Sequence, residues 1–488
     1  MRFMIKRYEK EQIYSFLLKT TFIFILLQPI FDLLSFLYIR EMLPIAVSTY
    51  VKPVLAGLIN LALLLVYKKH ILRCGIVYGG YLVLVIVHTL FLNGFMVELS
   101  VILHELRFMI NLLYLLICCF NLHILYTESN DPKQFVSKLS KVLLITFACY
   151  FVLYFLAVCT GTSGMTYEYS DPLKEGFKGW MDSGQIFGHL VCVCLPFLLA
   201  KLLNCKLQKK SHRILCKIAI VVPVAVLCLI GTKVSYYLAI IVLGIQALLE
   251  IFFALRDKQR MHWVNGALCI VCAVVCVLVY PLTPVKTNTD INNAVMAIQP
   301  DQDHLDQLVD AENDKYGANK VYEKESEAEK NVRWTRHALN VIAEKYEKGE
   351  LHPADMRNRQ LVFNYQKFKL ADWKYKLFGI GYLNQSDMAI ERDILCVFFS
   401  FGIVGFVLLL LRPLLLWFKG AITIVKRLRK TDLETFCLFE GFSMFFFISW
   451  YAGATFIYTN FALFLAILMC LLHHKIKLLK QNLPEPTV

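Results

Sequence analysis

The chain has 488 residues, of which 58% are hydrophobic and 18% charged, and 51 Lys and Arg against 37 Asp and Glu give it a formal net charge of +14. Soluble globular domains are about 45–50% apolar and about 25% charged, so this composition excludes a single water-soluble domain, a disordered chain, collagen and a disulfide mini-protein. With a mean hydropathy of +0.56 and repeated apolar runs of about 20 residues, the chain reads as an all-α polytopic membrane protein, and its basic surplus belongs to loops on one side of the membrane rather than to nucleic-acid binding.

In chain order, twelve spanning helices are expected at about 16–38, 43–66, 74–94, 106–126, 141–160, 184–204, 214–231, 234–254, 263–282, 389–411, 433–451 and 455–472. Each is close to the length needed to cross a core of roughly 30 Å. The seventh, between Arg213 and Lys233, is the shortest, and Lys52-Pro53 interrupts the second. The first run is long and followed by more of the same, so it reads as a span and not as a cleaved signal. Connections on the side of the N-terminus carry 27 Lys and Arg, whereas the short connections on the other side carry 4. This bias puts both termini in the cytoplasm, and the long loop outside the plasma membrane. Three parts result: helices one to nine over 1–282, an extracytoplasmic loop domain over 283–388, and the last three helices with a cytoplasmic tail over 389–488. None of the 16 cysteines lies in that loop, so no disulfide framework is expected there. Cys269, Cys272 and Cys276 share helical spacing and read as small packing residues. No internal repeat is visible, which argues against a transporter built from inverted repeats.

Within the loop, residues 283–300 read as irregular and 301–330 as a solvated, helix-prone acidic stretch. Asp301-Gln-Asp303 resembles the Asp-x-Asp signature of nucleotide-sugar glycosyltransferases, but such donors are cytoplasmic and the loop is read as external. Two amphipathic helices follow. One presents Trp334, Ala338, Val341 and Ile342 on one face, and the other presents Leu361, Tyr365 and Phe368, with Trp373 beyond. They are expected to pack on each other or on the membrane surface. Each carries a pair of arginines, Arg333 with Arg336 and Arg357 with Arg359. Gly379 and Gly381 then suggest a turn where the backbone closely approaches something.

Ionisable residues inside spans or at their ends are candidates for function. Here these are Asp32, Lys52, Glu105, Arg107, Lys233, Glu391, Arg392 and Asp393, all in the outer half of the membrane on this reading. Simpler roles exist for several: Lys52 and Arg107 can snorkel to headgroups, and Glu391 and Asp393 can cap the tenth helix. Their convergence under one loop instead suggests a site for a lipid-linked diphospho-sugar. Cations hold the diphosphate, a carboxylate takes a proton from an attacking hydroxyl, and the leaving diphosphate needs little acid help and no metal or cofactor.

These residues resemble the O-antigen ligase and O-antigen polymerase superfamily, in the Gram-positive branch of teichuronic acid, capsule and exopolysaccharide polymerases. The ligase signature of that family is a His, an Asn, Ser or Gln, nine residues and Gly-x-x-Gly. Here Glu391-Arg392, nine residues and Gly402-Ile-Val-Gly405 have that spacing, with Glu391 in place of the His. That departure points away from a lipid A ligase and toward a polymerase. Arg359, twenty residues before Gly379, matches a family Arg, with Arg357 as competitor; Lys233, after Gly231-Thr232, takes the place of a Ser-Arg pair. Gln28-Pro-Ile-Phe-Asp32, Gly176-Phe-Lys-Gly-Trp180 and Ser183-Gly-Gln185 are similar to family segments as well.

The resemblance implies an inverting, metal-independent membrane glycosyltransferase. Its donor is a glycan on undecaprenyl diphosphate, and a flippase and a chain-length regulator are possible partners. Glu391, with Asp393, is then base or acceptor-orienting group. Arg359 and Lys233 grip the diphosphate, and Arg357, Arg333 and Arg336 are further candidates for that role. Lys52, Arg107, Glu105 and Asp32 form a second tier. Transfer to another acceptor, and transport of a lipid-linked oligosaccharide, are the alternatives.

Overall fold

A computed structural model describes residues 2–44, 47–88, 99–168, 173–205, 209–298, 307, 310, 327–381, 388, 390–453 and 455–481. Asp301-Gln-Asp303 and most of the acidic stretch lie outside the described residues.

The fold is almost entirely helical. Among the described residues eleven helices are long and apolar enough to cross a membrane, and counting the bent pair α1 (Arg2–Leu26) and α2 (Gln28–Ile39) as one span makes twelve. This pair bends by 44° at Leu27, next to Pro29. Next come α3 (Val47–Val66), α4 (Ile71–Ile86), α5 (Leu99–Thr127) and α6 (Pro132–Cys159). Asp131 starts α6 by accepting hydrogen bonds from the backbone N–H groups of Lys133 and Gln134, both at 3.0 Å. An antiparallel ribbon of β1 (Gly164–Met165) and β2 (Phe177–Gly179) leads into α7 (Gly184–Leu203), capped by Ser183. The shortest expected span is a broken helix, α8 (Lys210–Ile218) and α9 (Val221–Leu229). It is followed by α10 (Lys233–Asp257) and α11 (Arg260–Val279).

Three expectations about where helices run need correction. Residues 283–300 are not irregular, since α12 runs over Pro284–Ala297. Proline at the first helical positions already has a helical φ, and a polar helix gives no apolar rhythm to detect. Lys52-Pro53 does not interrupt the second span, because α3 starts at Val47 and Pro53 falls in its second turn. The tenth span does not begin at residue 389. In the loop module, α13 (Glu327–Glu347), α14 (Met356–Leu370) and the short α15 (Trp373–Phe378) precede α16, which runs from Asp393 to Lys426 and leaves Glu391 and Arg392 just ahead of it. The bundle closes with α17 (Leu433–Tyr451) and α18 (Thr459–Gln481).

Helix α7 is apolar all round and forms the hub, with 89% of its best apolar window buried, against 28% for α3 and 22% for the span that contains α4. It packs against α10, α17 and α18. Asn130 reaches Glu11 at 3.4 Å and Tyr126 pairs with His474 at 3.1 Å, which puts both chain ends on one face of the bundle. The ribbon, α12 and the loop module occupy the opposite face, called here the loop face.

In the loop module α13 does pack on α14, and Trp334, Ala338 and Ile342 are buried as expected. The expected face of α14 holds only in part. Leu361 and Phe368 are half-buried against the core, with the Phe368 ring 5.1 Å from Phe398, but Tyr365 is 52% exposed, and the fully buried side is Gln360, Phe363, Asn364 and Lys367. Its polar members have work inside. Asn364 donates to the Met388 carbonyl at 2.6 Å, and Gln360 accepts from the Glu391 N–H at 3.3 Å. A reading that ranks residues by apolarity cannot see these bonds. Lys367 is 1% exposed and lies over the Phe363 ring, and burial pulls its ammonium down to about 7.

Candidate functional site

Two cation–carboxylate pairs meet the turn between α17 and α18 at the loop face. The first is buried. The Lys52 ammonium on α3 donates to Asp32 of α2 at 2.6 Å and to the Asn460 side-chain carbonyl on α18 at 2.5 Å. Tyr150 of α6 donates to the other Asp32 oxygen at 2.6 Å. Four helices are thus pinned at one point, and Lys52 and Asp32 are 1% and 4% exposed.

Beside this knot lies a cavity of about 10 Å³, room for one water, lined by Asp32, Asp182, Ser183 and Asn460 among others. Burial raises the Asp182 carboxyl above the usual carboxylate range. The charge of Asp32 adds to the rise, while Lys52, Lys178 and Arg107 oppose it. Arg107 is thereby placed near this cluster, exposed on α5. Glu105 belongs to the same helix, but its side chain lies outside the described residues. Lys178, on the ribbon, donates to the Asp182 backbone carbonyl at 3.3 Å.

The second pair is open. Arg357 Nε of α14 meets Glu391 Oε2 at 3.0 Å, with side chains 36% and 45% exposed. The Glu391 backbone is held firmly under it. Its N–H is taken by Gln360, and its carbonyl packs so closely on Gly453 (φ 72°) that a Cβ there would fall 1.5 Å from that oxygen. Asp393 behaves differently from Glu391. It is fully buried and accepts from the Thr455 N–H at 2.7 Å and the Thr455 hydroxyl at 2.5 Å, so it ties the start of α16 to the α17–α18 turn. Tyr458, in the α17–α18 turn, is 41% exposed as a whole, but its hydroxyl end is surrounded by protein, which raises it, and the charges of Asp393, Glu391 and Asp182 raise it further.

The two glycine motifs picked out in the sequence touch each other. The Ile380 and Gly381 N–H groups donate to the Phe399 and Ser400 carbonyls at 2.9 and 3.3 Å, just before the kink of α16 at Gly402. A Cβ on Gly379 (φ 95°) would come within 2.0 Å of the Ser400 oxygen. This docking fixes the loop module onto α16 and sets where Glu391 emerges.

The remaining candidates are spread out. Arg359 is half-buried, and two residues along α14 place it about 200° around the helix from Arg357, so the two arginines leave α14 from nearly opposite sides. Arg333 and Arg336 are exposed on α13. Lys233 starts α10, where its neighbours bind other segments. Asn288 of α12 donates to the Gly231 carbonyl at 2.9 Å, and Thr166 donates to the Ile230 carbonyl at 2.7 Å. No described contact links Lys233 to Glu391. Sequence reasoning missed Asp182, Tyr150, Asn460 and Tyr458. Asp182 and Asn460 carried a signal, as polar residues at the loop-face ends of α7 and α18. Tyr150, inside an aromatic stretch, carried none.

No curated protein matches the chain. The family model described as O-antigen ligase like membrane protein matches residues 10–479, nearly the whole length, and the chain belongs to this family of membrane proteins that act on lipid-linked glycans.

Proposed function

We propose that this protein is a glycosyltransferase that polymerises polyprenyl-diphosphate-linked repeat units into a cell-surface polysaccharide, with the loop face outside the membrane. The observation that carries the reading is the open Arg357–Glu391 pair at the mouth of the bundle, held by a rigid backbone in a family acting on lipid-linked glycans. An exposed ion pair contributes little to stability, so its partners can be exchanged at small cost. On donor arrival the diphosphate takes the Arg357 guanidinium, which suits bidentate phosphate contacts. Glu391 is released to face the acceptor.

The reaction then follows. The acceptor hydroxyl oxygen attacks the anomeric carbon of the donor, and its proton passes to Glu391. The bond from the anomeric carbon to the diphosphate oxygen breaks, and its electron pair leaves with the lipid diphosphate. Attack opposite the leaving group inverts the anomeric centre. Asp393 acts as a positioning residue through Thr455. Arg359 and Lys233 are secondary contacts for the diphosphate, and undecaprenyl is the expected lipid.

The test is product size. Purified protein is incubated with lipid-diphosphate-linked repeat units from its own host in the presence of EDTA, and the glycans are resolved on a gel. A ladder supports a metal-independent polymerase. Product only after an added acceptor indicates a ligase, and unaltered substrate moved across vesicles indicates a transporter.

A further inference from the structure

A second feature lies at the opposite end of the bundle. Helices α4, α5, α16 and α18 leave between them a cavity of about 890 Å³, within the size range of ligand sites. Along α16 its wall extends from Val407 to Lys419, about 18 Å at helical rise and close to the depth of one leaflet. The wall is graded. Leu115, Leu116, Val407 and Leu408 line it toward mid-membrane, and Arg73, Arg412, Lys419, Lys477 and Lys480 line it toward the chain termini. Among the described residues no acidic one lines it.

These cations are unspent. Arg412, Lys419, Lys477 and Lys480 have no carboxylate partner among the described residues; Arg412 lies 5.8 Å from the Phe120 ring and Lys477 5.7 Å from the Tyr126 ring. Among the described residues Arg73 has one side-chain hydrogen-bond partner, His123 at 3.4 Å. Glu128, just past the end of α5, is already taken by Lys69 and His70 at 2.7 and 2.8 Å. An arginine midway along a spanning helix, facing other cations across an apolar cavity, is costly without an anion.

We infer that this cavity binds an anionic phospholipid of the leaflet next to the termini. The phosphate sits among Arg412, Lys419 and Lys477, and an acyl chain lies along Leu115, Leu116 and Val407. Basic pockets between spanning helices recognise lipid headgroups by the same combination. The site is separate from the Arg357–Glu391 pair and does not depend on the proposed reaction.

The experiment uses the full chain in detergent, with native mass spectrometry and thermal shift during titration with phosphatidylglycerol, phosphatidylcholine or inorganic phosphate. One phosphatidylglycerol is expected to bind and raise Tm, with affinity falling as salt rises. Arg412→Gln, Lys419→Gln and Lys477→Gln together are expected to weaken it roughly 100-fold. Val407→Trp fills the acyl path from a lipid-exposed position and is expected to weaken it without removing charge, which covers the case in which the triple variant fails to fold. Equal binding of phosphatidylcholine, equal stabilisation by inorganic phosphate, or undiminished binding by the folded variants would overturn the inference. Displacement by a polyprenyl phosphate at far lower concentration would overturn the choice of occupant.

Discussion

Lys52–Asp32 and Arg357–Glu391 occupy the same face of the bundle and both touch the α17–α18 region, yet they are opposites in environment. The side chains of the first pair are 1% and 5% exposed, with Tyr150 and Asn460 completing the knot. Those of the second are 36% and 45% exposed, and only the backbone beneath Glu391 is fixed. A charge taken fully out of water is tolerated only while every partner stays in place. A charge at the surface exchanges partners at little cost. The buried pair therefore serves as a rivet, and the open pair is the one proposed to react; the sequence offered all four residues as candidates, with Glu391 as base, Arg357 as a diphosphate ligand, and Lys52 and Asp32 in a second tier.

The comparison breaks most visibly in activity. Glu391→Gln is expected to cut glycan transfer about 10²-fold or more, as loss of a general base does, with Tm nearly unchanged. Arg357→Ala should cause a comparable loss, and Arg359→Ala tests the competing assignment on the same gel. If Glu391→Gln still forms the full ladder, Glu391 is not the base, and Asp182 becomes the next carboxylate to replace.

The converse is expected of the rivet. Lys52→Met leaves Asp32 buried and uncompensated, at a cost of about 3–5 kcal/mol in stability. Adding Asp32→Asn should restore much of that, because neither charge then remains. A double variant no more stable than the single one would remove the ion pair as the cause.

Lys367 sharpens the contrast through pH. Its folded pKa is lowered from 10.5 to about 7. Between those values the unfolded chain holds a proton that the folded chain lacks, so stability rises with pH across that window and is lowest below about 7. The rise should total about 5 kcal/mol over the whole window, of which about 3 kcal/mol falls between pH 7 and 9, and Lys367→Met should flatten it in thermal melts from pH 6 to 9. Equal slopes in both proteins would show that another group titrates.

The smallest effect expected is steric. Gly453→Ala forces the turn away from the Glu391 carbonyl, at about 1–3 kcal/mol for an overpacked contact. It should also lower transfer, because the Glu391 backbone shifts with it. Unchanged activity would mean that Glu391 need not be held in place.

Much of the architecture was legible from apolar runs alone. A hydrocarbon core of fixed thickness demands helices of fixed length, so spans such as 184–204 and 433–451 were read within a residue or so of α7 and α17. The glycine motifs were legible too, since Gly379 and Gly402 hold positive φ at a close backbone approach. The polar helix α12 and the buried face of α14 were not, because neither depends on apolar periodicity.

The amino-acid sequence by itself determined a helical membrane protein with charge gathered at one face, because hydropathy and chain spacing are local properties. Tertiary packing decided what each charge does. Asp32 and Lys52 are twenty positions apart, Asp393 is 62 positions from Thr455, and Arg357 is 34 from Glu391. Whether such a residue ends up as rivet, anchor or open pair depends on how deeply its helix is buried and on which distant segment arrives beside it. Burial and contact between remote segments exist only once the bundle has closed, so the chain's local chemistry could nominate Glu391 and Asp393 together, but only packing separates the exposed carboxylate from the buried one.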